Sequence, residues 1–246
     1  MAADCLIPDW PAPANVHALQ TLRTGGCSPA PWDSLNLGDH VGDDPGRVAA
    51  NRASLRERLP AEPLWLNQVH GTAAVDAASA AQRVAADAAF SRRLGTGCAV
   101  MTADCLPVLF CDRAGTVVAA AHAGWRGLLD GVLENTVAAM QVPPSELLVW
   151  LGPAIGPERF EVGDEVRAAF VSHAAAAALC FAAQGNGKWL ADIYGLARQR
   201  LTMLGVTDIS GGESCTVGDA GRYFSYRRDG VTGRMATLIW LVPPSA

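Results

Sequence analysis

The stretch VMTADCLPVLFCDRAGTVVAAAHAGWRG sets Cys105 and His122 on either side of Asp112-Arg113-Ala114-Gly115. The apolar runs flanking that tetrapeptide read as two strands joined by a tight turn. A turn symmetric about Arg113 and Ala114 places Cys105 directly opposite His122, on one face of the hairpin with Cβ atoms about 4.5 to 5.5 Å apart. A zinc ion shared by a thiolate and an imidazole needs sulfur and nitrogen roughly 3.5 Å apart, which such a pair can supply. A turn one residue longer would put the two side chains on opposite faces. Taken singly, a cysteine in an apolar strand is ordinarily a small buried hydrophobe, and a strand histidine a hydrogen-bonded core group. Their opposition beside Gly124 and Gly127 points instead to metal or nucleophile chemistry.

The best candidate for a third ligand is His70, where WLNQVHG ends a predicted strand with a histidine followed by glycine. Three protein ligands and one open position describe a catalytic zinc, whereas a structural zinc is closed by four. The remaining histidines, His17, His40 and His173, lie in a strand, a loop and an Ala-rich stretch, where surface or core roles suffice. Arg126 precedes the helix expected from Gly127, so its guanidinium and free helix N–H groups can receive a phosphate or carboxylate. Arg23, in TLRTGG, is a second anion-binding candidate; for both, and more so for Arg227 and Arg228, a surface ion pair is the ordinary explanation. Asp104 points away from Cys105 in a regular strand and is not assigned as a base. No string has the glycine and lysine spacing of a Walker or Rossmann motif.

These residues need strands to carry them. Apolar runs bounded by Gly, Pro or Asp predict strands over 16–22, 64–69, 98–103, 106–110, 117–121, 147–151 and 235–241. Leu128, Leu129, Val132, Leu133, Thr136, Val137 and Met140 recur at helical spacing after Gly127, and Pro143-Pro144 ends that helix. Further helices are expected over 162–180, broken near Ser172, and over 193–204, with Asp192 as N-cap and Gly205 just beyond the end. The Ala-rich stretches 73–89 and 174–183 read as helix material. This mixture gives an α+β fold class.

Composition bounds the rest. The 246 residues are 50% hydrophobic and 17% charged, enough for a well-buried core. A net charge of -5 without a basic block argues against nucleic-acid and anionic-membrane partners and leaves a small molecule. The opening has no basic-then-apolar signal pattern, and no stretch fits a bilayer-spanning helix, so no export is expected. Seven scattered cysteines without a CxxC pair fit reduced thiols in a cytoplasm. Five histidines without an HxH pair argue against a multinuclear copper oxidase. No repeat or linker divides residues 1–246, which read as one domain and by default a monomer.

The segments TLRTGG, SLNLGDHVGDDP, WLNQVHG, MTADCLPVLF, AAHAGWRG, LGPAIGPERFEVGDEV, CTVGDAGRYFSYRRDG and TGRMATLIWL together resemble the bacterial laccase-domain family, also called the polyphenol oxidoreductase or purine nucleoside phosphorylase family. The resemblance implies one α+β catalytic domain with mixed β-sheets packed between helices, likened to cysteine hydrolases. It maps the family's zinc ligands onto His70, Cys105 and His122. It also implies phosphorolysis of adenosine, inosine and S-methyl-5′-thioadenosine, with adenosine deamination as a side activity; nucleoside and phosphate are then the partners. Copper-dependent polyphenol oxidation is an alternative that Cys and His ligands allow. Another is a peptidoglycan-editing amidase with Cys105 as nucleophile and His122 as its base. A binding module with a closed, structural metal would require a fourth protein ligand. The usual zinc deaminase signature, HxE with a later PCxxC, is absent, so deamination would use another constellation.

Overall fold

The computed structural model describes residues 4–244. From the N-terminal side, β1 (Cys5–Leu6) and β2 (Val16–Thr21) precede helix α1 (Pro45–Arg56). Short strands β3 (Leu64–Trp65), β4 (Ala74–Asp76) and β5 (Ala88–Ser91) follow, then β6 (Cys98–Thr102) and the hairpin β7 (Leu106–Asp112) and β8 (Val118–Ala123). Helices α2 (Trp125–Asp130) and α3 (Val132–Met140) lead to β9 (Leu147–Leu151), β10 (Glu161–Gly163) and α4 (Asp164–His173). The chain continues through β11 (Phe181–Gly185), β12 (Lys188–Ala191), α5 (Ile193–Leu204) and β13 (Asp208–Gly211). It ends with the short helix α6 (Tyr226–Asp229) and β14 (Met235–Leu241).

Two mixed sheets form the centre, ordered β1-β2-β14-β6-β3 and β13-β9-β7-β8-β5-β4, with a small sheet β10-β12-β11 beside them. Alternation along the strands explains the layering. Leu109, Cys111, Val118 and Ala120 of the six-stranded sheet pack with Val16, Ala18, Val100 and Ile239 of the five-stranded sheet. Val108, Phe110, Ala119 and Ala121 point the other way, against Leu128, Leu133 and Leu201 from the helices. On the outer face of the five-stranded sheet, Leu19, Met101 and Leu238 pack with Leu55 of α1. Strands covered on both faces read as continuous apolar runs, which is why β7 and β8 are buried throughout. The architecture is the expected α+β fold, with sheets between helices.

Several elements depart from expectation for identifiable reasons. Residues 73–89 form β4, turns and β5 rather than a helix; alanine is small enough to line a strand packed on both faces. The stretch 174–183 is a 3-10 turn running into β11. The helix expected after Gly127 starts at Trp125 and is two helices, because Gly131 (φ 104°) closes α2 in a left-handed conformation. The strand expected to reach Val69 stops at Trp65, and the Gln68 side chain takes over the pairing by exchanging hydrogen bonds with the Met101 backbone at 2.7 and 2.8 Å. The sequence reading missed α1, whose first turn is capped by Asp44, accepting from Arg47 N at 3.0 Å, with Pro45 opening the helix. The helix α5 keeps its expected bounds, with Asp192 accepting from Gly195 N at 3.0 Å.

Candidate metal centre and its two cavities

The β7–β8 hairpin is in a different register from the expected one. The Asp112 carboxylate accepts from Thr116 N at 2.6 Å, Thr116 Oγ1 at 2.6 Å and Val117 N at 3.0 Å. These bonds favour a four-residue loop, 113–116, closed by the Asp112 N to Val117 O bond, over a two-residue turn. Pro107, rather than Cys105, therefore faces His122. The offset is two residues, so side-chain parity survives and the cysteine still meets the histidine.

Cys105 lies just before β7, on the segment where the chain crosses from the five-stranded to the six-stranded sheet. Asp104 makes that crossing with φ 92°. Its carboxylate accepts from Thr216 Oγ1 and Arg227 N, both at 2.6 Å, and its carbonyl accepts from Ile155 N at 2.9 Å. Asp104 is thus a clamp on the crossover; with its backbone out of the strand conformation it does not turn to the face opposite Cys105 as expected, and the two residues line one cavity.

His122 is buried near the end of β8, whereas His70 is exposed in a loop with φ 59°. Both depend on Asp87, which the sequence reading missed. Fully buried, Asp87 accepts from the backbone N–H groups of Val69 at 3.2 Å, His70 at 3.0 Å and Gly71 at 2.7 Å. Its carboxylate also meets His122 Nδ1 at 2.8 Å, and its carbonyl accepts from His122 N at 2.7 Å. A carboxylate on Nδ1 fixes the ring so that Nε2 faces the cluster. The available signal was an acid inside the apolar run VAADAAF, which must find several donors if it is buried.

The ligand atoms of His70, Cys105 and His122 all lie within 4.8 Å of one another, with Cys105 Sγ 3.9 Å from His70 Nε2. Among the described residues this is the one cluster of three His, Cys or acidic groups able to hold a metal ion. Two nitrogens and a sulfur suit zinc or copper and leave a position for substrate. Glycine keeps the cradle open: a Cβ at Gly124 would meet His70 Cδ2 at 2.9 Å and Cys105 Sγ at 3.1 Å, and one at Gly127 would meet Gly71 O at 2.8 Å.

Burial pushes the Cys105 thiol up, but the charge of His122 and hydrogen bonds from both histidines outweigh it and bring its pKa to about 6. Burial disfavours the His122 cation, yet Cys105 and Asp87 raise its pKa to about 9. By contrast, burial pushes Cys111 up to about 12 and Cys180 up to about 11. Without metal, the site is a thiolate–imidazolium pair backed by a carboxylate. None of the seven cysteines forms a disulfide.

Two cavities meet at this cluster, and His70, Ala103, Cys105 and Tyr226 line both. One, of about 270 Å³, is walled by Trp125, Phe160, Tyr226, Ile155 and Ile193, with Asp104, Arg126 and Arg227. The other, of about 400 Å³, is more polar, with His40, Gln68, Thr102, His122 and Arg234. The Arg126 guanidinium sits 4.3 Å over the Trp125 ring and makes no hydrogen bond or ion pair among the described residues, leaving it free for a ligand. Arg23 lines neither cavity. Its guanidinium donates to Asp33 O at 3.0 Å and Ala220 O at 2.9 Å, pairs with the Asp33 carboxylate at 3.3 Å and lies over Phe224. Arg228 is held by Asp229 at 2.8 Å and by nearby carbonyls, while Arg227 reaches the first cavity. The sequence analysis left Arg234, Tyr226 and Phe160 unassigned.

A mixed-sheet α+β fold carrying a His-Cys-His cluster at a crossover between sheets defines the class, and residues 17–242 match the multi-copper polyphenol oxidoreductase laccase family. The chain belongs to that family. It is 59% identical over 237 residues to a purine nucleoside phosphorylase of Pseudomonas aeruginosa, covering 96% of this chain and 98% of that one. It is 55% identical over 242 residues to the purine nucleoside phosphorylase YfiH of Escherichia coli, again covering 96% and 98%. Among solved structures, a Neisseria meningitidis protein superposes with a TM-score of 0.95 at 55% identity, covering 98% of this chain and all of that one. YlmD from Geobacillus stearothermophilus gives a TM-score of 0.92 at 32% identity, covering 99% and 98%. No helix among the described residues is long and apolar enough to cross a membrane.

Proposed function

We propose that this chain is a cytoplasmic, zinc-dependent purine nucleoside phosphorylase acting on adenosine, inosine and S-methyl-5′-thioadenosine, with adenosine deamination as a side activity. The observation that carries this reading is the open His70–Cys105–His122 cluster beside a cavity pairing aromatic walls with a free cation, in a chain 59% identical to a relative bearing that name. In the reaction, a hydrogen phosphate oxygen bonds to ribose C1′ as the bond from C1′ to the purine nitrogen breaks. The electron pair leaves with the purine, and the hydrogen phosphate proton ends on the base. In this reading Trp125, Phe160 and Tyr226 bury the faces of the base and Arg126, which lines the same cavity, binds substrate. Zinc on His70, Cys105 and His122 would supply Lewis-acid polarisation of a substrate oxygen, or of water in the deamination. Asp87 keeps both histidines oriented toward it.

The test is metal content per chain, followed by incubation with adenosine and phosphate and chromatography for adenine, inosine and hypoxanthine. Zinc together with chelator-sensitive, phosphate-dependent adenine release is the expected result. A second reading rests on the low Cys105 pKa and the Cys105–His122–Asp87 order, which also suits a metal-free cysteine amidase. Chelator-resistant cleavage of a muramyl-peptide precursor without base release would establish that reading instead.

A further inference from the structure

The two cavities differ in charge as well as in shape. In the aromatic cavity, Asp104 contributes a carboxylate, and Arg227 already donates to Glu161 O at 3.0 Å. The polar cavity has no carboxylate among its lining residues and contains Arg234. This half-buried arginine donates from Nη1 to Thr232 O at 3.1 Å and Gly233 O at 3.0 Å. Its Nε and Nη2 have no hydrogen-bond partner, and its guanidinium no ion pair, among the described residues. A partly desolvated guanidinium with two idle donor nitrogens suits an incoming anion with several acceptor oxygens.

The surrounding segment is shaped to hold that arginine. Arg234 N donates to Asn36 Oδ1 at 2.9 Å, and its carbonyl accepts from Leu37 N at 3.1 Å. A Cβ on Gly38 would come within 2.7 Å of Arg234 Cγ. The SLNLGDH motif thus fits around the arginine stem and also brings His40 to the same wall. The field of Arg234 reaches His40: burial, and then the Arg234 charge, hold that imidazole below its ordinary range. Asp39, behind His40, is paired with Arg83 at 2.8 Å and Arg52 at 3.8 Å. Thr102, on the same wall, has a buried hydroxyl without a partner among the described residues.

We propose that the polar cavity is the phosphate subsite, anchored by Arg234, and that the nucleoside lies in the aromatic cavity. This assignment rests on the phosphorolysis reading and follows its stereochemistry, since displacement at C1′ places the incoming oxygen and the departing base on opposite sides. Cavities meeting at one cluster can deliver the two substrates in that way. Exposed Arg126, on the aromatic side, then serves the nucleoside rather than the phosphate.

The test compares R234Q, R234K and R126Q by steady-state kinetics, and by equilibrium dialysis of the as-purified protein against radiolabelled inorganic phosphate. R234Q is expected to raise the phosphate KM by about 10- to 100-fold while the nucleoside KM stays within about twofold. R234K, which keeps the charge and stem, should recover part of the loss, and R126Q should raise the nucleoside KM instead. Dialysis should show phosphate binding by the wild type and its loss in R234Q, with matching thermal unfolding confirming that the variant is folded. Phosphate binding that survives R234Q, or that is lost in R126Q instead, overturns the assignment. If the wild type cleaves no nucleoside yet binds phosphate through Arg234, the anion site stands and the phosphorolysis reading falls.

Discussion

His122 and His70 present ring nitrogens to the same cluster from opposite kinds of structure. His122 is buried on a strand with ladder partners on both sides, whereas His70 is exposed on a loop whose left-handed backbone is held by one carboxylate. Sheet geometry alone would place His122, but nothing regular places His70. Asp87 cancels this difference by binding the loop backbone and the strand imidazole together. One buried acid thereby fixes the loop-borne and the strand-borne ligand together.

Removing Asp87 should erase the contrast most thoroughly. D87A leaves three backbone donors and the His122 ring without their acceptor, so unfolding by denaturant should show a loss of more than about 3 kcal/mol, together with loss of bound metal. Separating the ligands should sharpen it. H122A is expected to lose metal and about 2 to 3 kcal/mol, because Asp87 is left buried without its ring partner, while H70A should lose metal at a cost below about 1 kcal/mol. Equal stability losses in the two would mean that the exposed loop is as integrated as the strand. G124A, whose new methyl group crowds both His70 and Cys105, should lower metal affinity by about tenfold in chelator competition with little change in melting temperature.

The pH dependence is gentler. Between pH 6 and 9 the metal-free pair is a thiolate and an imidazolium, so metal binding must expel the His122 proton. Affinity should therefore rise with pH by about one decade per unit across that window, flatten above about 9, and steepen below about 6, where Cys105 must also lose its proton. Competition with a chromophoric chelator at several pH values reads this slope, and a flat response would show that the pair is not charged as assigned. Cys5→Ser should leave metal content unchanged, since Cys5 is outside the cluster.

The parts legible in the sequence were those governed by local periodicity. The hairpin placed Cys105 and His122 on one face even though its register was wrong by two residues, because parity depends only on whether the offset is even. Arg126 could be placed because the start of its helix lies beside the hairpin. Asp87 could not, because its partners at 69–71 and 122 come together only in the folded sheet. Arg23 looked equivalent to Arg126 by type, yet the fold uses it to fasten Asp33 and Ala220 to each other. Tyr226 and Arg234 reach the site only after the final strands pack, so local spacing says nothing about them.

The place of β14 between β2 and β6 has a consequence for the order in which a growing chain can fold. All three cluster residues have been synthesised by position 122, and the hairpin that carries two of them can pair early. The five-stranded sheet, however, remains two separate halves until residues 235–241 arrive to join them. Arg234 is delivered by that same late strand. During translation, the ligand cluster is therefore encoded well before the wall that completes its polar cavity.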